Sequence, residues 1–147
     1  MNITKIDTET GMHEKFSNEK IASFLFEHLD QYGDKIEDIT KCIEYTQKKH
    51  EQKGGFVLVA SDGQDNIKGA VVVNETNMGG YIPENILVYI AVHSDTRGTG
   101  LGKRLMQAAI DNCVGDVALH VEKDNPAKFL YEKIGFTNPY LEMRYKK

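Results

Sequence analysis

The sequence predicts a single α/β domain built on a mixed sheet, and three observations carry that expectation. The first is balance: 147 residues, 40% hydrophobic and 27% charged, match one globular domain with room for one core. The second is a change of hydrophobic period near residue 55, helical before it and strand-like after it. The third is a glycine-rich turn, Arg97-Gly98-Thr99-Gly100-Leu101-Gly102-Lys103, set between an apolar run and a helical pattern.

Each element follows from local chemistry. Apolar alternation predicts a short strand over 2–7. Ser17 or Asn18 caps a helix reaching about Gln31, with Ile21, Phe24, Leu25, His28 and Leu29 on one face, and Gly33 stops it. Ile36, Ile39, Ile43 and Thr46 predict a second helix from Lys35 to Gln52, ended by Gly54-Gly55. Phe56–Ala60 and Ile67–Asn74 read as a hairpin around Asp62-Gly63. Residues 78–83 read as a loop. Ile86–Val92 is a continuous apolar run, hence a strand covered on both faces. A helix follows from Leu101 to Cys113, then a strand over Val117–Val121. Pro126 opens a helix that Gly135 closes after Ile134, and Tyr140–Tyr145 reads as a last strand.

Composition removes several function classes. No stretch approaches the roughly 18 apolar residues of a membrane span, and the segment MNITKIDTETGMHEKF lacks the apolar core of a secretory signal. Cys42 and Cys113 have no zinc-like spacing to histidine, so no metal is expected, and two free thiols suit a reducing, cytoplasmic setting. A net charge of −4 argues against nucleic acid as a partner. Residues 1–75 carry 14 acids and 9 bases, and residues 76–147 carry 8 and 9. The acidic first half would attract a cation or simply form solvated helix faces.

The glycine-rich turn carries the chemistry. Glycines let backbone amides approach a ligand, and the helix N-terminus adds partial positive charge, so the turn suits an anion such as a phosphate. A Walker A loop is excluded because Gly102-Lys103 is followed by Arg104. A dinucleotide fingerprint is excluded because Lys103 stands where its third glycine belongs.

Arg97, Gly100 and Gly102 match the signature of the GNAT superfamily of acyl-CoA-dependent N-acetyltransferases, which the chain resembles. That signature is Arg or Gln, two residues, Gly, one residue, then Gly or Ala, after the fourth strand. A second motif, Asp124-Asn125-Pro126-Ala127-Lys128-Phe129-Leu130-Tyr131-Glu132-Lys133-Ile134-Gly135-Phe136, matches at Ala127, Tyr131 and Gly135-Phe136. The resemblance is best from about Val57 to the C-terminus. It implies one domain over residues 1–147 with a mostly antiparallel central sheet flanked by helices. It also implies acetyl-CoA as co-substrate, held by the amides of Arg97, Gly98, Thr99, Gly100, Leu101, Gly102 and Lys103. The pantetheine arm would pair with Ile90, Ala91 and Val92 as an added strand does. The Ile90 N–H would donate to the thioester oxygen, and Tyr131 would protonate the departing thiolate. The resemblance would make Asn125, Lys103, Arg104 and Lys128 further coenzyme contacts, although Asp124 stands where many relatives carry Asn.

The base is less legible. Ile86 occupies the position at which some relatives carry a strand glutamate. Glu84 and Asn85 lie beside it, so Glu84 is a candidate; His120, Glu122 and a water chain are others. Cys42 and Cys113 read as apolar filler, and His13, His28 and His50 have no partner legible in the sequence. The expected reaction is direct attack of a primary amine, of a small molecule rather than a protein, on acetyl-CoA in a ternary complex. The acceptor pocket would be lined by the first two helices and the 76–85 loop, with Tyr32, Tyr81 and Glu84 in it. A non-catalytic acyl-CoA-binding or regulatory domain, or transfer of another acyl group, are the alternatives. A homodimer is compatible with either.

Overall fold

The structure is a computed structural model that describes residues 1–48 and 54–147. Its elements are β1 (Asn2–Ile6), α1 (Asn18–Leu29), a 3-10 turn (Asp30–Tyr32), α2 (Ile36–Tyr45), β2 (Gly55–Ser61) and β3 (Ile67–Glu75). After them come β4 (Asn85–Val92), a second 3-10 turn (Ser94–Thr96), α3 (Leu101–Asp111), β5 (Val117–Ala118) and α4 (Ala127–Ile134). One sheet runs in the order β1-β2-β3-β4-β5; the first three pairings are antiparallel and β4–β5 is parallel.

Sheet alternation sends side chains to two helical layers. Val57, Val59, Ala70, Val72, Tyr89 and Ala91 meet α1 and α2, where Ile21, Leu25, Ile39 and Ile43 are fully buried. Phe56, Leu58, Val71 and Val73 meet α3 and α4 instead, around Leu105, Met106 and Tyr131. Each such Leu or Ile contributes roughly 1.5–3 kcal/mol by burial. Ser17 caps α1 by accepting from the Lys20 amide at 3.3 Å.

Four expectations need correction. The second helix ends at Tyr45 rather than Gln52, and the rest of that reading, with His50, reaches residues 49–53, outside the described ones. The strand expected over Val117–Val121 keeps only Val117 and Ala118, because no partner strand lies beside Leu119–Val121. The last strand, Tyr140–Tyr145, does not form; Tyr140, Leu141, Met143 and Tyr145 are 85% to 91% exposed. Apolar alternation marks a strand only where a ladder exists to complete it.

The fourth concerns β4, which is not covered throughout. Register steps from Val72–Tyr89 to Val73–Leu87, so Val88 is an unmatched bulge residue, and it is 37% exposed. The bulge also explains why Leu87 joins the α3/α4 layer while Tyr89 joins the α1/α2 layer. Ile90 and Val92 are half-buried on the α3/α4 side.

Candidate active site

The site begins where β4 and β5 part. They pair only at Asn85–Val117 and Ile86–Ala118. The buried Asn85 holds that end: its amide donates to the Asp116 carbonyl at 3.1 Å, and its side chain donates to Val114 at 2.9 Å and Asp116 at 3.2 Å. Glu84 adds a bond, accepting from the Asp116 amide at 3.2 Å. Beyond Ile86 the edge of β4 has no strand beside it among the described residues.

That free edge carries the Ile90 amide. The His93 amide donates to Lys68 of the β3 side at 2.8 Å. Alternation along an antiparallel strand therefore turns the amides of Val92 and Ile90 away from β3, into the gap. Ala91 points its amide back toward β3, so of the three residues expected to meet the coenzyme arm, Ile90 and Val92 have outward amides.

The glycine loop stands at the far end of the same gap. Gly98 and Gly100 have φ of +80° and +86°, and a Cβ at either meets nothing within 4 Å, so the loop's outer face is open. Gly100 caps α3 without any side-chain bond. The amides of Gly98, Gly100, Leu101, Gly102 and Lys103 donate to no group among the described residues. Arg97 and Thr99 differ, because their amides turn back to Ser94 at 3.4 Å and Thr96 at 3.2 Å. Five free donors at one helix N-terminus form an anion cradle.

Tyr131 enters from α4. It is 9% exposed, its ring meets Phe136 edge-on at 6.1 Å, and burial raises its pKa. Its hydroxyl has no hydrogen-bond partner among the described residues, yet the oxygen is not sealed from solvent. A protonated phenol thus opens on the same sheet face as Ile90 and Val92.

Other candidate residues have different work. Glu84 lies six residues before Ile90, roughly 20 Å away along a strand, and its carboxylate is engaged at the 114–116 turn. Asn125 uses its side-chain oxygen to accept from the Ala127 amide at 2.9 Å, capping α4. Lys128 lies over the Phe129 ring at 5.6 Å. The Arg104 guanidinium donates to the Met1 carbonyl at 3.1 Å. With Gly100, Lys103 and Ile3 it also lines a groove of about 460 Å³ between the glycine loop and β1. His120 and Glu122 are exposed past the end of β5, and Tyr81 is 79% exposed.

Burial and hydrogen bonding explain the remaining titratable groups. Burial pushes the Cys42 thiol up to about 12 and the Cys113 thiol up to about 11, so both stay protonated. His13 accepts the Lys15 and Phe16 amides at 3.1 and 3.3 Å. His28 stacks against Phe24 at 4.4 Å and His93 at 4.6 Å, and burial lowers its pKa. Among the described residues no three His, Cys, Asp or Glu side chains gather as a metal site, and no helix is long and apolar enough to cross a membrane.

β4 and β5 thus part beside a loop of free amides, and the chain is similar to known proteins of one family. The family model of the acetyltransferase (GNAT) domain matches residues 52–138, more than half of the chain. The chain belongs to the GNAT acetyltransferase family. The cysteine-rich protein 2-binding proteins of Mus musculus and Homo sapiens are each 39% identical over 54 residues. That match covers 36% of this chain and only 7% of theirs. Three solved structures share the fold. A transcriptional regulator from Bacillus halodurans superposes with TM-score 0.68 at 19% identity, over 99% of this chain and 100% of its own. The ribosomal-protein-alanine N-acetyltransferase of Brucella melitensis biovar Abortus gives 0.66 at 16%, over 99% and 98%. The histone acetyltransferase HPA2 and related acetyltransferase of Corynebacterium glutamicum gives 0.65 at 19%, over 98% and 90%.

No motif pointed to Tyr89. Its hydroxyl donates to Asp34 at 2.6 Å, joining β4 to the loop before α2. The available signal was a tyrosine inside an apolar run, since a buried phenol needs a polar partner.

Proposed function

We propose that this protein transfers acetyl from acetyl-CoA to the primary amine of a small molecule, in a cytoplasmic setting. The observation that carries the reading is the row of five free amides at the end of a strand edge that is itself unpaired. The amides suit the coenzyme's pyrophosphate, and the free edge of β4 suits its amide-rich arm, which adds as a strand would. The thioester oxygen then lies at the Ile90 N–H.

In the transfer step the neutral amine nitrogen attacks the thioester carbonyl carbon. The Ile90 amide stabilises the charge that grows on the carbonyl oxygen. As the C–N bond forms the C–S bond breaks; the nitrogen releases its proton to solvent water, and the sulfur takes one from the Tyr131 hydroxyl. Solvent then reprotonates the tyrosine. Burial keeps Tyr131 in its protonated form at neutral pH, as an acid requires. With Glu84 out of reach, water carries the amine's proton away.

Thermal unfolding with and without acetyl-CoA tests the reading. At ~100 times the dissociation constant, one-site binding adds about 2.7 kcal/mol, a rise of roughly 5–10 °C in Tm for a domain of this size. Release of free CoA with an amine panel then separates transfer from mere binding. No shift with acetyl-CoA or CoA overturns the assignment, and a shift without release on any amine leaves a binding domain.

A further inference from the structure

Asp34 and Tyr89 stand on the α1/α2 side of β4, opposite the layer that holds α3, α4 and Tyr131. Tyr89 is 7% exposed, its ring lies among α1 and α2 side chains, and it adjoins Ile90 in sequence. Its hydroxyl spends its proton on one Asp34 oxygen at 2.6 Å. Among the described residues no Lys, Arg or His forms an ion pair with Asp34. The groups whose charge bears on Tyr89 are Asp34, Cys42 and Asp38, and all act in the same direction. The stretch from Glu27 to Asp38 holds five acids and one lysine.

The loop that carries Asp34 is pinned on both sides of the gap. Asp34 ties it to β4, and the Tyr32 hydroxyl donates to the Asp124 carbonyl, just before α4, at 3.5 Å. It therefore crosses the opening beside the free edge of β4. Asp34 itself is exposed, and a buried phenol holds its carboxylate in one orientation.

We infer that Asp34, oriented by Tyr89, is the acceptor-recognition residue, and that the acceptor is an alkyl diamine or polyamine. This rests on the transferase reading above. The division of labour is chemical. The nitrogen that reacts must be neutral, so a carboxylate on that nitrogen would oppose the reaction by favouring its ammonium form. A second amino group has no such conflict. As an ammonium it pairs with the free Asp34 oxygen, while the first, deprotonated, reaches the carbonyl carbon. Tyr89 is a positioning residue; it touches Asp34 rather than substrate.

The test compares 1,4-diaminobutane with n-butylamine, for the wild type and for Asp34→Asn. The asparagine oxygen still accepts from Tyr89, so the loop keeps its anchor and only the charge is lost. Wild-type kcat/KM is expected to favour the diamine by about 10–100-fold, the range of a charged hydrogen bond. Asp34→Asn should remove that preference by lowering the diamine value alone, chiefly through KM. The butylamine value and the thermal shift with acetyl-CoA should stay as they were. Tyr89→Phe, which leaves Asp34 charged but unheld, should fall between. An equal loss for both amines, an unchanged preference, or turnover of neither amine by a wild type that acetyl-CoA still stabilises would each overturn the inference while the coenzyme site stands. Absence of any acetyl-CoA stabilisation overturns the transferase reading, and this inference with it.

Discussion

The sheet from β1 to β4 and the region from β5 to the C-terminus contain similar apolar residues but use them in opposite ways. In the first, every strand is laddered to a neighbour and Val57, Val59, Val71 and Val72 are fully buried. In the second, β5 keeps two residues, Leu119 and Val121 are half-buried, and Tyr140 to Tyr145 lie open. The difference shows where this fold leaves backbone donors open to a ligand. A closed ladder has no backbone donors left for a ligand. A strand whose partner departs after Ile86 does, and Ile90 is on it.

The comparison breaks first on stability. Leu25→Ala, on the fully packed side, should cost about 2–5 kcal/mol, while Val121→Ala should cost less than about 1 kcal/mol because its site is already half open. Urea unfolding of both variants measures this; equal costs would show that the two regions are packed alike.

Tyr131→Phe sharpens the contrast, since it removes a hydroxyl that has no hydrogen-bond partner among the described residues. Stability should change by less than about 0.5 kcal/mol, whereas kcat should fall about 10–100-fold, at or below the lower end for a positioned acid because a thiolate is already a fair leaving group. A chemistry-limited assay at saturating acetyl-CoA checks it, and an unchanged kcat would leave the residue as packing.

Gly100→Asn separates binding from folding in the loop. Valine there would confound the two, because the φ of +86° strains a β-branched residue, but asparagine tolerates that region. Acetyl-CoA affinity, measured by titration calorimetry, should weaken about tenfold or more while Tm moves by only a few degrees.

The smallest expected effect is a pH dependence from His28, which sits between Phe24 and His93 with Glu27, Asp95 and Arg97 bearing on it. Burial lowers its folded pKa below its unfolded value of about 6.5. Below that value the unfolded chain binds the extra proton, so stability is fully present above about pH 6.5 and falls as pH drops toward the folded value. Chemical denaturation of the wild type and His28→Gln between pH 7.5 and 5.5 should show a shallower slope in the variant.

Much of this was legible because it is local. Ser17 before an amphipathic run, Gly33 and Gly135 after helices, and the Gly98–Gly102 spacing each depend on a few neighbouring residues. These placed the helices and the glycine loop, and the motif around Tyr131 marked the residue proposed as the acid. The Ile90 amide was readable only through resemblance, since any apolar side chain serves a backbone donor.

What the tertiary structure alone decided is non-local. Sequence periodicity does not say whether a strand has a neighbour, so Tyr140–Tyr145 read as a strand although no ladder receives it. Nor does it say which way a carboxylate turns: Glu84, next to β4 in sequence, holds the Asp116 amide, while Asp34, 55 positions from Tyr89, meets it directly. Local chemistry determined the elements and the glycine loop. Chain path determined the open edge and the residues that face it, because hydrogen-bond partners far apart in sequence are set by how the layers pack.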